Sequence, residues 1–445
     1  MPTTIIHSAT IFDGIQVHAH ATIRFDSESG QISSISPTGS VPVPASTGDY
    51  DTVIDGTGFT IIPGLIDAHI HVHAAGHGPV PDLTNLLQEP LKYGITTVCD
   101  MHTDPETVDR FRQQVASELS ATQAQTLSSS QARVTQSDLK SCLFAATVDG
   151  GWPKAIVLGP NPSPETKAHV DTWPKLTVDT VPAYVAGQKR RGADYIKLMQ
   201  EDGCSFGFPS ELIKPATQEF QRLVVQEARA AGFRTVAHAT NVNDTLKVLE
   251  AGVDGLAHTI VDRAPTDELV AAYTERGAFV IPTLAILSSL TGADQDLRER
   301  FAGIAFDKGL LDEAGRDHMR TAAKLASPTA KIEYAYDSVK ALKGAGMDIV
   351  TGTDAVPGIK GTLVGLSLWM ELAQYVERCG MTPLEALRSA TEAGARRLGF
   401  ADRGTIEVGK RADLVMVKGE PHETLEHLWT GEGITQVWKH GFKAK

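Results

Sequence analysis

Short apolar runs separated by turns open the chain. TTIIHSATIFDG, HAHATIRFD, QISSISP and DTVIDGTGFTIIPG alternate apolar and polar positions between glycine- and serine-containing turns, which predicts strands across residues 1–62. The tail from Gly404 has the same texture, in GTIEVGKRADLVMVKG and ITQVWKHGFKAK. Neither end has enough strands to bury a sheet alone. One small β domain assembled from residues 1–62 and 404–445 resolves this; two separate ribbons packed on the core are the alternative.

The middle follows another rhythm. GITTVCDM, KAIVLG, DYIKLMQ, FRTVAHA, GLAHTI, FVIPTLA and DIVTGTD are brief apolar runs, most of them followed by a helical pattern. In EFQRLVVQEARAAG, Phe220, Val224, Val225 and Ala228 recur at helical spacing before a glycine stop, and VNDTLKVLEAG and TDELVAAYTERG repeat the design. Alternating strands and helices pair in parallel, and seven or eight units favour a closed barrel. The expected fold is α/β: a (β/α)8 TIM-like barrel over residues 63–403, with a small β-sandwich domain formed by both termini. Residues 104–145 fit this rhythm poorly. SELSATQAQTLSSSQARVTQSDL is polar, and reads as a surface insertion or lid, or as an exposed helix pair.

Composition narrows the function classes. Among 445 residues, 41 Lys and Arg stand against 54 Asp and Glu, and the resulting net charge of −13 argues against a nucleic-acid surface. No run of 18 apolar residues is present, so no membrane span is expected. Cys99, Cys142, Cys204 and Cys379 are scattered, giving neither a Cys-type zinc site nor a disulfide framework. The start MPTTIIHSATIFDG lacks the basic stretch and apolar core of a signal peptide, and the expected location is the cytoplasm.

The candidate chemistry lies at strand ends. His69 and His71, in PGLIDAHIHVHA, share one side of a strand and can face one metal, with His73 continuing the alternation. Leu65, Ile66 and Ala68 mark that strand as buried, where two uncompensated imidazoles are costly. Asp67 shares their alternation and is placed to bond a ligand ring from behind. Lys197 interrupts the apolar run ADYIKLM, His238 closes TVAHA, His258 closes GLAHT, and Asp354 ends IVTGTDA after Gly352. Taken singly, these also suit a lysine reaching solvent, two core histidines and a helix cap. Together they occupy the C-terminal strand ends where such barrels keep their active sites, and they make a ligand set for zinc or a similar divalent ion.

PGLIDAHIHVH, GITTVCDM, YIKL, VAHA, GLAHT, TGTDA, MTPLEALRSATEAGARRLG and GTIEVGKRADLVMV together resemble the amidohydrolase superfamily of metal-dependent hydrolases across nearly the whole chain. Within it, the chain is similar to the prolidase-like and imidazolonepropionase-related branch. The resemblance implies that His69, His71 and Asp354 bind the more buried of two zinc ions. It also implies that His238 and His258 hold the second, with Lys197 carboxylated as the bridging ligand and Asp354 as proton shuttle. Two features depart from the branch. KGTLVGLSLWMEL lacks the histidine that often precedes the Glu-Leu helix, leaving Lys360 or Trp369 as possible modifiers of substrate contact. Cys99 stands where relatives commonly carry arginine. Tyr195 is expected to pack.

The implied reaction is hydrolysis of an amide bond in a small molecule, such as an N-acyl amino acid or dipeptide-like compound. Ring opening of a cyclic amide or lactone uses the same machinery. A mononuclear deaminase with an unmodified Lys197 is the competing enzyme class. A non-catalytic relative is disfavoured, because every ligand position is filled. His77, His102, Trp152, Phe206 and Phe208 are the candidate substrate contacts. Homo-oligomerisation is left open.

Overall fold

A computed structural model describes residues 3–37, 52–73, 85–126, 133–159, 161–209 and 211–444. The N-terminal end supplies β1 (Thr3–Phe12), β2 (Val17–Asp26), β3 (Ile32–Pro37), β4 (Thr52–Asp55) and β5 (Phe59–Pro63). The middle supplies β6 (Leu65–Ile70), β7 (Ile95–Asp100), β8 (Asp138–Ser141), β9 (Ile196–Met199), β10 (Thr235–His238), β11 (Gly255–Ala257) and β12 (Phe279–Ile281). Near the other end come β13 (Leu414–Lys418), β14 (Ile434–Lys439) and β15 (Phe442–Lys443).

Strands from both ends hydrogen-bond into one eight-stranded sheet, in the order β15-β14-β13-β5-β1-β2-β3 with β4 on β1. The seam is the antiparallel pairing of β5 with β13, which sets Ile61 opposite Met416. Alternate residues of these strands turn Ile6, Ile11, Ile23, Phe25, Ile61, Leu414, Met416 and Trp438 into one buried cluster.

The middle strands form a TIM-barrel-like core. β6, β7 and β8 run parallel, as do β9 to β12. Ala146 bridges to Leu198 and joins the two groups. The eighth stave is residues 349–355: Ile349 bridges Val280 and Ala355 bridges Ile70, and the Ala68 amide donates to the Thr351 carbonyl at 2.9 Å. Every residue of β6 is buried, as expected for a strand covered on both faces.

The helix over Gln218–Ala230 buries Phe220, Val224, Val225 and Ala228 against the barrel, and Thr217 caps it by accepting the Phe220 amide at 3.2 Å. Burial of Phe220, Val224 and Val225 contributes about 1.5–3 kcal/mol each. Val242–Ala251 and Asp267–Arg276 are the other two expected helices.

Two expectations are corrected. KAIVLG is not a strand: Lys154–Leu158 is a short helix in the long connection between β8 and β9. Residues 104–145 are no insertion either. Pro105–Thr126 is a 22-residue helix leading into β8, so the stretch contains an ordinary barrel helix and the third stave. Residues 127–132 of it lie outside the described residues.

Candidate metal centre

β6 carries His69 and ends at Ile70, with His71 one residue beyond. The eighth stave lies against them. Thr353 and Asp354 both donate their backbone amides to the His69 carbonyl, at 3.2 and 2.7 Å. Gly352 permits this approach, since a Cβ there would meet the His69 amide nitrogen at 2.8 Å and Ile281 at 2.5 Å. Asp67 does not bond a ligand ring. Its carboxylate accepts from the Thr353 hydroxyl at 2.8 Å and amide at 3.0 Å, and from the His69 amide at 3.2 Å. It fixes the two staves relative to each other, and burial pushes its carboxyl up to about 7.

On this frame, Nε2 of His69 and Nε2 of His71 converge on Asp354 Oδ1, at 3.3 and 3.1 Å. The short distances do not make hydrogen bonds of acceptable geometry, and buried Oδ1 is left without a partner. Burial, then repulsion from Lys197 and the neighbouring imidazoles, holds His69 well below its usual value. Burial opposes ionisation of Asp354, but His71, His258 and Lys197 together hold its carboxyl below the ordinary range. The result is two imidazole nitrogens and a carboxylate oxygen converging on one point.

The other predicted residues border the same space. The His258 ring lies 4.9 Å from that of His69, and its ligand atom falls with those of His69 and Asp354 within 4.8 Å of one another. Its Nδ1 meets the Thr283 hydroxyl at 2.7 Å, which leaves Nε2 free. His238 lies 4.5 Å from His258, ring to ring, and its Nε2 contacts Glu201 Oε2 at 3.2 Å, which leaves Nδ1 free. Lys197 is 1% exposed and shows no hydrogen bond or ion pair among the described residues. Burial pulls its ammonium down to about 8.

Glu201 and Thr283 were not anticipated from the sequence. Glu201 also accepts from Thr240 at 2.6 Å and from the Gly203 amide at 2.8 Å, so its position is overdetermined; burial pushes its carboxyl up to about 8. A signal existed: Glu201 follows the β9 strand end on the face where the ligands gather. A second ligand-like group, His71, His73 and Asp100, adjoins the first. Asp100 is already occupied there by Thr103, Ser141 and the Val72 amide.

These side chains line a cavity of ≈ 420 Å³ that takes in all six predicted ligands together with His73, His102, Trp152, Phe206 and Phe208. His77 lies outside the described residues. Trp369 is not a substrate contact: it is buried between Tyr93 and Trp429 and donates to the Tyr93 carbonyl. Neither Lys360 nor Cys99 borders the cavity. Tyr195 packs in the barrel, its hydroxyl on the Asp100 carbonyl at 2.8 Å.

The unpartnered Asp354 oxygen, the converging imidazole nitrogens and the borrowed hydrogen bonds behind His238 and His258 fit divalent metal ions. Comparisons with known proteins point the same way. The Amidohydrolase family pattern matches residues 60–442. Ochratoxinase of Aspergillus niger is 27% identical over 270 residues, a match covering 59% of this chain and about half (49%) of that protein. An uncharacterized protein of Mycobacterium tuberculosis is 26% identical over 87% of this chain and 84% of its own length. Among solved structures, a Xaa-Pro dipeptidase superposes with a TM-score of 0.70 at 24% identity, covering 99% of both chains. Phenylurea hydrolase B does so at 0.73 and 21%, covering 99% of this chain and 96% of its own. The chain belongs to the amidohydrolase family, whose pattern spans most of its length.

Proposed function

We propose that the cavity hydrolyses an amide bond in a small molecule, with N-acyl amino acids and dipeptide-like compounds as the first forms to test. We propose His69, His71, Lys197, His238, His258 and Asp354 as ligands of two zinc ions. The observation that carries this reading is the approach of two imidazole nitrogens to the unpartnered Oδ1 of Asp354, beside a buried, unpaired lysine. Bound there, a pair of divalent ions supplies an activated water and polarises the substrate carbonyl.

The protein's own groups do the rest. Glu201 and Thr283 hold His238 and His258 in the ring orientation and tautomer that present a lone pair to the cavity. Lys197, drawn toward its neutral form, offers an amine that adds to carbon dioxide; one proton leaves, and the carbamate is an anionic ligand. Asp354 Oδ1 accepts a proton from the attacking water and returns it to the departing nitrogen.

The test combines metal analysis of protein purified without chelator, a density map at Lys197, and a panel of N-acyl amino acids, dipeptides, lactones and cyclic amides. Acid, amine and ammonia release are scored separately. Two ions, added density on Nζ and paired acid and amine release are expected. One ion, a bare lysine and ammonia would mean a mononuclear deaminase.

A further inference from the structure

The rings of the cavity touch in series. His102 lies 6.3 Å from His73, His73 lies 5.2 Å from His71, and His71 lies 5.4 Å from His69. Beyond His258 and His238, the indole of Trp152 stacks on His238 at 5.1 Å and 27°. Phe206 then stacks on Trp152 at 4.7 Å and 24°. The proposed ligands occupy the middle of this series, with a flat aromatic wall at one end and His102 at the other.

Charge is missing from both ends. Among the described residues lining the cavity, Lys197 is the sole lysine and no arginine appears; the remaining walls include Ile286, Leu290, Leu325 and Ile359. A substrate carboxylate would find no guanidinium fork here.

His102 has a defined hydrogen-bond character. Its Nδ1 accepts the Ala145 amide at 3.0 Å, so the ring proton sits on Nε2. That nitrogen is buried and has no partner, and His102 is one of the residues lining the cavity. Trp173 meets the ring edge-on at 4.5 Å and 84°, and Phe144 lies 5.6 Å away, so the ring cannot turn freely. Protonation would cost the Ala145 bond. His102 is therefore a neutral N–H donor without a partner in the cavity wall, suited to an uncharged oxygen.

We propose that this cavity selects amides bearing a flat aromatic group, which packs against the wall made by the Trp152–Phe206 stack, while the Nε2–H of His102 holds an uncharged oxygen of the substrate and no free carboxylate is needed. The inference rests on the hydrolytic reading above and narrows it.

Four probes separate the two attributes: N-acetylglycine, N-benzoylglycine, N-ethylacetamide and N-ethylbenzamide, the ethyl group standing in for the carboxymethyl. With the zinc-loaded full chain, the benzoyl compounds should exceed their acetyl partners in kcat/KM by about 10-fold or more. Replacing the carboxymethyl by ethyl should not lower it. Trp152→Leu should abolish the benzoyl advantage. His102→Phe, with metal content unchanged, should raise KM by about 10-fold and leave kcat nearly constant, as for loss of one uniformly used hydrogen bond. Equal rates for acetyl and benzoyl compounds, or a clear advantage for the acids, would overturn the proposal. Binding of the same four compounds, followed by tryptophan fluorescence, is scored independently of turnover. If nothing is hydrolysed but the affinities keep the expected order, the hydrolytic reading fails and the aromatic site stands. If none binds, both fall.

Discussion

Asp354 sits at φ +50°, and its neighbours across the cavity, His258 and Thr283, at +74° and +54°. Three non-glycine residues in the left-handed region, one of them β-branched, are costly, and the surrounding hydrogen bonds hold them there. The geometry makes Asp354 replaceable in shape but not in basicity. Asp354→Asn should keep most of the metal and lower kcat by about 100-fold or more. Turnover near the parent rate would remove it from proton transfer. Lys197→Ala should lose activity and much of the metal while circular dichroism stays native, because this buried side chain shows no hydrogen bond or ion pair among the described residues. Retained metal would end its role as bridge. The proposed ligands were legible because an ionisable residue inside an apolar strand is conspicuous. Glu201 and Thr283 were overlooked: the alternation that sets Glu201 on the face of Lys197 runs past the end of β9 at Met199, and only the folded barrel shows that it continues.

At the scale of elements, legibility followed periodicity. Helices with a clear apolar stripe, such as Gln218–Ala230, were found. The five-residue run KAIVL was misread, since a short apolar run suits a strand and a buried helix turn equally. β8 was hidden by its composition: DLKS shows no alternation that a strand requires, because Asp138 is engaged by cations from elsewhere in the chain. A long-range dependence of the same kind holds the helix Leu284–Thr291. Buried Glu371 accepts the amides of Leu284 and Ala285 at 2.9 and 2.6 Å, supplying partners for the first turn. Burial pushes its carboxyl up to about 8 from 4.5. A raised folded-state value means that the native chain holds this proton more tightly, so its stabilisation is complete below about pH 4.5 and declines as pH rises through about 8. In urea unfolding between pH 5 and 9, the parent should lose up to ~1.4 kcal/mol per pH unit from this group, and Glu371→Gln should flatten that slope. Parallel profiles would show that another group is responsible.

For the whole molecule, the joint between barrel and sheet is electrostatic as well as apolar. Asp138 of β8 meets Arg403 at 2.9 Å, Arg411 at 2.5 Å and Lys439 at 2.6 Å. Burial opposes its charge, yet these three cations hold its carboxyl well below the usual range. Asp138→Ala strands them in a poorly solvated site and should cost roughly 3–5 kcal/mol, read as a lowered Tm. We propose that residues 1–62 and 404–445 form one domain and residues 63–403 the catalytic barrel. Truncation before Gly404 then bares the β5 edge and removes two of the three cations, and should yield insoluble or readily cleaved protein. A soluble, active truncation would separate the tail from the sheet.

The β5–β13 seam also sets an order in time. Ile61 faces Met416 across it, so this edge of β5 has no partner until a strand about 350 residues later has left the ribosome. At about 5–20 residues per second, that interval is on the order of half a minute. During it, β1, β2 and β5 depend on one another alone, while the barrel staves can pair as they emerge. Assembly of this molecule is thus outside-last: barrel staves can pair as they emerge, whereas the β5–β13 seam closes only once β13 has been made, and the edge of β5 waits unpaired until then.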